Sequence, residues 1–251
     1  MDWSLVGMVA LGAVVAGFVQ GLSGFAFGLV AMSFWAWTVE PRLAAVLATG
    51  GALTGQLIAA FTVRRGFNRA LLLPFLVGGL VGVPIGVWLL PSLDIVVFKA
   101  VLGSLLILWC PAMLMSTRLP RVRWGGRWAD GLAGFAGGVC GGIGGFAGAV
   151  PTLWCTLRGL PKDEQRAVVQ NFNLAMLSVA FALQCGTGLV TTAMLPLLAM
   201  VALAVLVPVL LGARLYIGIS EARFRQIVLG LLTASGAALL AASLPALLQR
   251  G

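Results

Sequence analysis

The chain has 251 residues, of which 61% are hydrophobic and only 9% are charged. This composition excludes a soluble protein, because a soluble domain of this length needs a much more charged surface. The formal net charge is +9, but the basic residues lie in short clusters between apolar runs, which argues against nucleic acid as a partner. A protein that crosses the lipid bilayer several times is predicted instead.

The apolar runs, in chain order, are of two kinds. Two of them, 4–38 and 129–157, are longer than one span needs, and each contains a glycine-rich sequence, at 21–28 and 142–149. Glycine in a helix interior costs about 1 kcal/mol relative to alanine, so each long run is predicted to form two short helices around a break. Three spans of about 20 residues follow each long run. They cover about 44–63, 70–90, 96–116, 165–185, 192–213 and 226–247.

The two halves of the sequence resemble each other. A shift of 121 residues superposes Gly24 on Gly145 and Phe25 on Phe146, together with three further pairs. These pairs are Gly17 with Gly138, Gly21 with Gly142 and Ala26 with Ala147. A duplication of this length has the size of a transporter half. The sequence predicts a first transmembrane repeat at 1–117, a basic cytoplasmic linker at 118–128 and a second transmembrane repeat at 129–251.

Lys and Arg concentrate in cytoplasmic loops and therefore indicate the topology. Clusters lie in the linker, at 64–69, at 158–166 and at 214–225. All of them can face the cytoplasm only if the two long runs enter the membrane from opposite sides. The predicted fold is an all-α polytopic membrane protein of two inverted repeats, each with one broken, re-entrant helical hairpin and three transmembrane helices. We expect a multi-pass protein of the plasma (inner) membrane with both termini outside, and the sequence leaves open whether it forms a homodimer.

The sequence lacks the groups that most enzymes and metalloproteins use. It has no histidine, and its four cysteines stand at no metal-ligand spacing, so neither a metal site nor a cofactor is expected. No serine–histidine or paired-aspartate constellation is available for hydrolysis, which argues against an enzyme. All seven acids map to a terminus, a loop or the end of a span. We therefore expect no buried carboxylate that could relay protons.

The two glycine-rich breaks are the candidate substrate site. Hairpins that enter from opposite sides bring their tips together near the middle of the bilayer. The helix after each break offers unpaired N–H groups and the positive end of a helix dipole, which favours a small anionic substrate. The candidate substrate-binding residues are Gly21, Ser23, Gly24, Phe25, Thr49, Gln56, Gly144, Gly145, Phe146, Asn171 and Asn173; Gln170 lies beside them, and Gln20 and Gln184 are weaker candidates.

Each of these residues also has a plainer interpretation. Small residues commonly let membrane helices pack closely, and the two phenylalanines could fill the space that the glycines leave instead of gating a site. Asn171 and Asn173 could cap the start of a helix rather than line a pathway. Recurrence of the glycine motif at equivalent points of both halves favours the binding site.

The motifs together resemble those of the sulfite exporter TauE/SafE family of membrane transporters. The resemblance rests on the glycine-rich runs 21–28 and 138–151, the basic linker, and the Leu160-Pro161-Lys162 turn that leads into 167–173. It covers nearly the whole chain. It implies transport of small sulfur-containing anions, such as sulfite or sulfonates, usually by export across the inner membrane.

Two alternatives remain open at the level of the sequence. One is an ion-coupled uptake permease or exchanger for similar anions, and the other is a membrane subunit or scaffold that transports nothing. Export is favoured because an anion that leaves an inside-negative cell gains about 2.3 kcal/mol per charge per 100 mV without any coupling ion.

Overall fold

The computed structural model describes residues 3–62, 66–115, 121–122, 124–215 and 221–249, and these residues form ten α-helices and no strand. Among these residues, seven helices are long and apolar enough to cross a membrane, which confirms the prediction of an all-α polytopic membrane protein. In chain order the helices are α1 (Trp3–Ser23), α2 (Phe27–Trp35), α3 (Pro41–Thr62), α4 (Arg69–Leu89), α5 (Ile95–Met115), α6 (Gly126–Gly144), α7 (Ala149–Leu157), α8 (Lys162–Gly186), α9 (Leu195–Leu215) and α10 (Glu221–Leu248).

The same order of helices occurs twice, in α1–α5 and in α6–α10. Each series begins with a long helix, a break and a helix of nine residues, and three long helices follow. The breaks lie within the two glycine-rich sequences, but the helices before them are not short, because α1 has 21 residues and α6 has 19. Most glycines of the motif therefore lie inside a continuous helix, and the chain turns only at Gly24 and Gly145.

Close packing against other helices explains why the earlier glycines do not break α1 and α6. A methyl group added at Gly21 of α1 would lie 3.0 Å from the Cα atom of Gly212 in α9. One added at Gly142 of α6 would lie 2.8 Å from the carbonyl carbon of Gly86 in α4. Tertiary contact thus offsets the low helix propensity of glycine. The long helix of each hairpin packs against a helix of the other repeat.

The equivalent helices α3 and α8 run antiparallel to each other. Gln184, at the end of α8, donates to the Thr49 hydroxyl in the first half of α3 at 3.3 Å. At the other end of the pair, Asn171 of α8 donates to the carbonyl oxygen of Gly66, just beyond α3, at 3.1 Å. Inverted repeats require this relation between equivalent helices, so the contacts support the inverted arrangement, which stays a prediction.

One acid lies deeper than the sequence analysis expected. Asp130, in the second turn of α6, is only 2% exposed. Its carboxylate accepts hydrogen bonds from Arg158 at 2.6 Å and from the Trp154 indole at 2.7 Å. The sequence analysis placed this acid at the end of a span and did not anticipate its burial, which partners at the end of α7 offset by neutralising it. The contact ties the start of α6 to the end of α7 and closes the second hairpin.

Candidate functional site

The first break is a glycine turn whose polar groups are bonded locally. Gly24 has a φ of +84°, which glycine adopts without strain, and its N–H donates to the carbonyl oxygen of Gln20 at 2.7 Å. The Ser23 hydroxyl donates to Val19 at 2.8 Å and accepts from the N–H of Ala26 at 3.2 Å. Ser23 therefore caps the turn, and its hydrogen is already bound to the backbone.

The second break has the same turn but a different environment. Gly145 has a φ of +72° and its N–H donates to Gly141 at 2.9 Å. A methyl group at this glycine would lie 2.8 Å from the backbone nitrogen of Thr49. The N–H of Ala149 donates to Phe146, and Pro151, the third residue of α7, has no N–H. The start of α7 thus offers fewer free donors than the sequence analysis expected.

The tips of the two hairpins touch each other. A methyl group at Gly28 would lie 2.6 Å from the carbonyl oxygen of Gly145, and one at Gly148 would lie 2.8 Å from the Cβ atom of Phe25. The Phe25 ring packs edge-on against Trp109, with 5.7 Å between ring centroids. Phe146 is buried. Direct contact between the tips leaves little space for a substrate between them.

A cavity lies beside the first break. Its volume is about 10 Å³, which is room for about one water molecule, so a larger ligand requires the cavity to widen. Of the lining residues, Thr62 at the end of α3 is exposed and Arg166 near the start of α8 is half-buried, which indicates that the cavity opens between these two helix ends. Among the described residues, none of those that line it is acidic. The lining residues are Gln20, Gly21, Gly24, Gly55, Gln56, Ala59, Thr62, Arg166, Gln170, Val209 and Ala213.

Three glutamine side chains line this cavity, and two of them, Gln56 and Gln170, contact Gly24. Gln56 donates from Nε2 to the carbonyl oxygen of Gly24 at 2.6 Å, and Gln20 donates from Nε2 to Ala52 at 2.9 Å. The Nε2 atom of Gln170 lies so close to Gly24 that an added methyl group would be 3.1 Å from it. Arg166, one turn before Gln170 on the same face of α8, brings a positive charge to the group.

The structure brings together only some of the residues that the sequence analysis selected. Gly21, Gly24 and Gln56 line the cavity. Thr49, Gly144, Gly145 and Phe146 lie at the second break, while Phe25 and Asn173 lie between the tips. Asn171 binds the carbonyl oxygens of Gly66 and Ala167 and does not line the cavity.

The sequence analysis assigned Arg166 to topology alone and gave Gln170 and Gln20 little weight. A signal for Gln170 was present in the repeat. At the offset of 121 residues that relates Gly24 to Gly145, Thr49 corresponds to Gln170. In the structure each of the two contacts the break glycine of the other repeat's hairpin. An offset of 122 would instead pair Thr49 with Asn171, whose side chain binds the carbonyl oxygens of Gly66 and Ala167.

Polar side chains continue along one face of α8 beyond the cavity. Arg166, Gln170, Asn173 and Gln184 lie within about 60° of the helix circumference, and Leu177 and Ala180 separate the last two. Asn173 is 1% exposed, and within the described part of the chain neither polar atom of its amide has a hydrogen-bond partner. Buried amides without partners are rare, so this face of α8 differs from an ordinary packing surface between helices.

Comparison with known proteins identifies the family. Searches of curated proteins and of solved structures found no match. The model of the sulfite exporter TauE/SafE family matches residues 9–239, from the first half of α1 into α10, and so includes both breaks, the cavity and the polar face of α8. The chain therefore belongs to the sulfite exporter TauE/SafE family and is a membrane transporter.

Proposed function

We propose that this transporter exports small sulfur-containing anions of the sulfite and sulfonate type across the inner membrane, and that the anion binds in the cavity beside Gly24. The observation that carries the proposal is the lining of this cavity, which combines Arg166 and three amides with no acid among its described residues. We place the anion beside the first break rather than between the two breaks, because Gly28 and Gly145 are in contact there.

The chemistry of the lining suits an oxyanion. A guanidinium group presents a planar set of N–H donors that matches two oxygens of one anion. The Gln170 amide can add a further donor next to Gly24, where the missing side chain lets a ligand approach the backbone. The start of α2 points the positive end of a short helix dipole toward the same turn. These groups supply positive potential without a second charged side chain.

The position of the mouth supports loading from the cytoplasm. The cavity opens where α3 ends and α8 begins, and the basic clusters at 64–69 and 158–166 assign that end to the cytoplasmic side. At the opposite end, Gln184 donates to Thr49 and Leu177 is buried in the core. In this proposal the anion enters from the cytoplasmic end, where the cavity widens to admit it, while the outer end stays closed.

The polar face of α8 is the route that we propose for release. Asn173 is the next amide beyond Gln170, and Gln184 lies near the outer end of the same face. Separation of the hairpin tips at Phe25 and Gly148 would uncover Asn173, and displacement of Leu177 would connect it to Gln184. Rigid-body rocking of packed repeats about a central site is a common form of alternating access.

The energy for export can come from the membrane potential alone. A monovalent anion that leaves a cell at an inside-negative potential gains about 2.3 kcal/mol per 100 mV. The one buried carboxylate of the described residues, Asp130, is held by Arg158 and lies outside the cavity lining. Export therefore requires neither a proton relay nor a coupling cation.

Flux measurements in vesicles test this function. Purified protein is reconstituted with sulfite inside, and a potassium gradient with valinomycin sets an outward-driving potential. We expect efflux that follows the potential, does not depend on sodium or a proton gradient, and is lost in Arg166→Leu. Strict dependence on sodium or protons would favour the uptake permease or exchanger instead. Absence of flux and of anion binding in folded protein would favour a non-transporting subunit.

A further inference from the structure

Gln20 lines the cavity, and its side chain carries a buried oxygen that no described residue pairs. Gln20 is 3% exposed, and its Nε2 atom donates to the carbonyl oxygen of Ala52 at 2.9 Å. This bond fixes the orientation of the amide, because the reversed amide would place two oxygens against each other. The Oε1 atom is buried and has no hydrogen-bond partner among the residues that the structure describes. The Oε1 atom can therefore accept a hydrogen bond from a ligand.

This acceptor gains no hydrogen bond from an anion whose polar atoms are all acceptors. The oxygens of such an anion would leave Oε1 of Gln20 unpaired, and an unpaired buried acceptor is costly. An anion that also carries an O–H or N–H group removes the conflict. Its charged group binds Arg166 and Gln170, and its donor group binds Gln20.

The spacing of these residues fits a short bifunctional anion. Gln20 lies one helical turn before Gly24, as their 2.7 Å backbone hydrogen bond requires, and Gln170 packs directly against Gly24. The backbone position that carries the acceptor therefore lies about one turn of helix, or ~6 Å along the axis, from the glycine that Gln170 contacts. A chain of one or two carbons between a sulfonate and a hydroxyl group spans such a separation.

We propose that the cavity selects sulfur-containing anions that carry a hydrogen-bond donor, such as hydroxysulfonates, and that Gln20 Oε1 accepts the hydrogen bond from this donor. The inference rests on the proposed function, since it presupposes that the cavity holds the anion. It assigns to Gln20 a role in specificity, whereas Arg166 and Gln170 supply the affinity for the charged group.

Binding of matched sulfonates to the purified protein tests the inference. The probes are ethanesulfonate, 2-hydroxyethanesulfonate and 2-methoxyethanesulfonate, which differ in whether a donor is present. We expect the hydroxyl compound to bind about tenfold more tightly than ethanesulfonate, as for one satisfied buried hydrogen bond. The methoxy compound carries an oxygen but no donor, so it should bind no better than ethanesulfonate.

Two variants assign the effect to Gln20. Gln20→Met keeps the length of the side chain without its polar atoms. This variant should still bind ethanesulfonate, but it should bind the hydroxyl compound with about the same affinity as ethanesulfonate. Gln165→Met makes the same change on α8, where Gln165 donates to Thr156 outside the cavity lining, and should keep the preference. The methoxy comparison in the unmodified protein decides the question if Gln20→Met does not fold.

The outcomes separate the inference from the proposed function. Equal affinity of the unmodified protein for all three sulfonates would overturn the inference and leave the transport of anions intact, because a water molecule would then satisfy Gln20. A preference that persists in Gln20→Met would also overturn it. Failure of sulfite and of all three sulfonates to bind would overturn the proposed function itself.

Discussion

The sequence uses Arg166 only to assign the topology, whereas the structure makes it a candidate ligand for the anion. Arg166→Leu removes the positive charge that lines the cavity. Loss of one charge-assisted hydrogen-bonding group costs about 2–3 kcal/mol, so the affinity for sulfite should fall by roughly 30- to 150-fold. Equilibrium binding of sulfite to purified protein measures this change.

A matched control distinguishes the local role of Arg166 from its contribution to net charge. Arg69 lies at the same end of the bundle and stacks on Phe67 at 5.7 Å, away from the cavity. Arg69→Leu removes the same charge and should leave the affinity for sulfite within about twofold, because exposed charges are screened by salt. Equal losses in the two variants would remove Arg166 from the site.

The two break glycines are expected to respond differently to alanine. Both have positive φ, which costs an alanine about 1–2 kcal/mol. At Gly145 the added methyl group also meets the backbone of Thr49 at 2.8 Å, whereas at Gly24 it meets the movable end of Gln170 at 3.1 Å. Gly145→Ala should therefore lower the thermal stability in detergent more than Gly24→Ala does.

Anion binding separates these two variants further. Gly24→Ala displaces Gln170 and should weaken sulfite binding in protein that still folds. A Gly24→Ala protein with unchanged affinity would argue against Gln170 as a ligand. Gly145→Ala is remote from the cavity lining, so any folded fraction should bind normally.

At the scale of the elements, the Asp130–Arg158 contact holds the second hairpin closed. Asp130→Asn keeps the shape of the side chain and an acceptor for Trp154, but it leaves Arg158 without its counter-charge. Breaking a buried ion pair costs about 3 kcal/mol, so thermal unfolding in detergent should occur at a clearly lower temperature. Asp94→Asn makes the same change at an exposed cap of α5, where asparagine accepts the same hydrogen bonds, so it should cost less than about 1 kcal/mol.

The polar face of α8 gives a second prediction for an element. Ala180 is fully buried on this face, whereas Ala182, two residues on, is exposed on the outside of the bundle. In a variant whose four native cysteines are replaced by alanine, Ala180→Cys should react with an anionic, water-soluble thiol reagent several-fold faster during sulfite transport than at rest. Ala182→Cys should show no such change, and a similar response of both positions would exclude this face as the route.

The sequence predicts the elements well because their signals are local. The apolar runs, the glycine clusters and the repeat at an offset of 121 residues locate the ten helices of the described part of the chain and both breaks. It overestimates how strongly glycine disrupts α1 and α6, because the packing of Gly21 on Gly212 and of Gly142 on Gly86 joins segments far apart in the chain. The cavity and the partners of Asp130 depend on similarly distant contacts, which no local pattern contains.

At the scale of the whole molecule, the repeats interlock through two equivalent helix pairs. The long helix of the first hairpin, α1, packs on α9, and its equivalent α6 packs on α4, in both cases through glycines that bring backbones together. Because each hairpin is held by the other repeat, a shift of one repeat against the other moves a hairpin tip relative to α3 and α8. The contact of Gly24 with Gln56 and Gln170 is thus placed to change during transport.

The inverted arrangement of the repeats predicts that two equivalent loops lie on opposite sides of the membrane. Phe67 lies between α3 and α4, and Thr191 lies in the equivalent loop between α8 and α9; both are exposed. The antiparallel contact of α3 with α8 requires these loops at opposite ends of the bundle. In the cysteine-free variant, an impermeant thiol reagent added to intact cells should therefore label Thr191→Cys, whereas Phe67→Cys should react only after permeabilisation. Labelling of both from one side would mean parallel repeats, and the reverse pattern would place the mouth of the cavity outside and remove the argument for export.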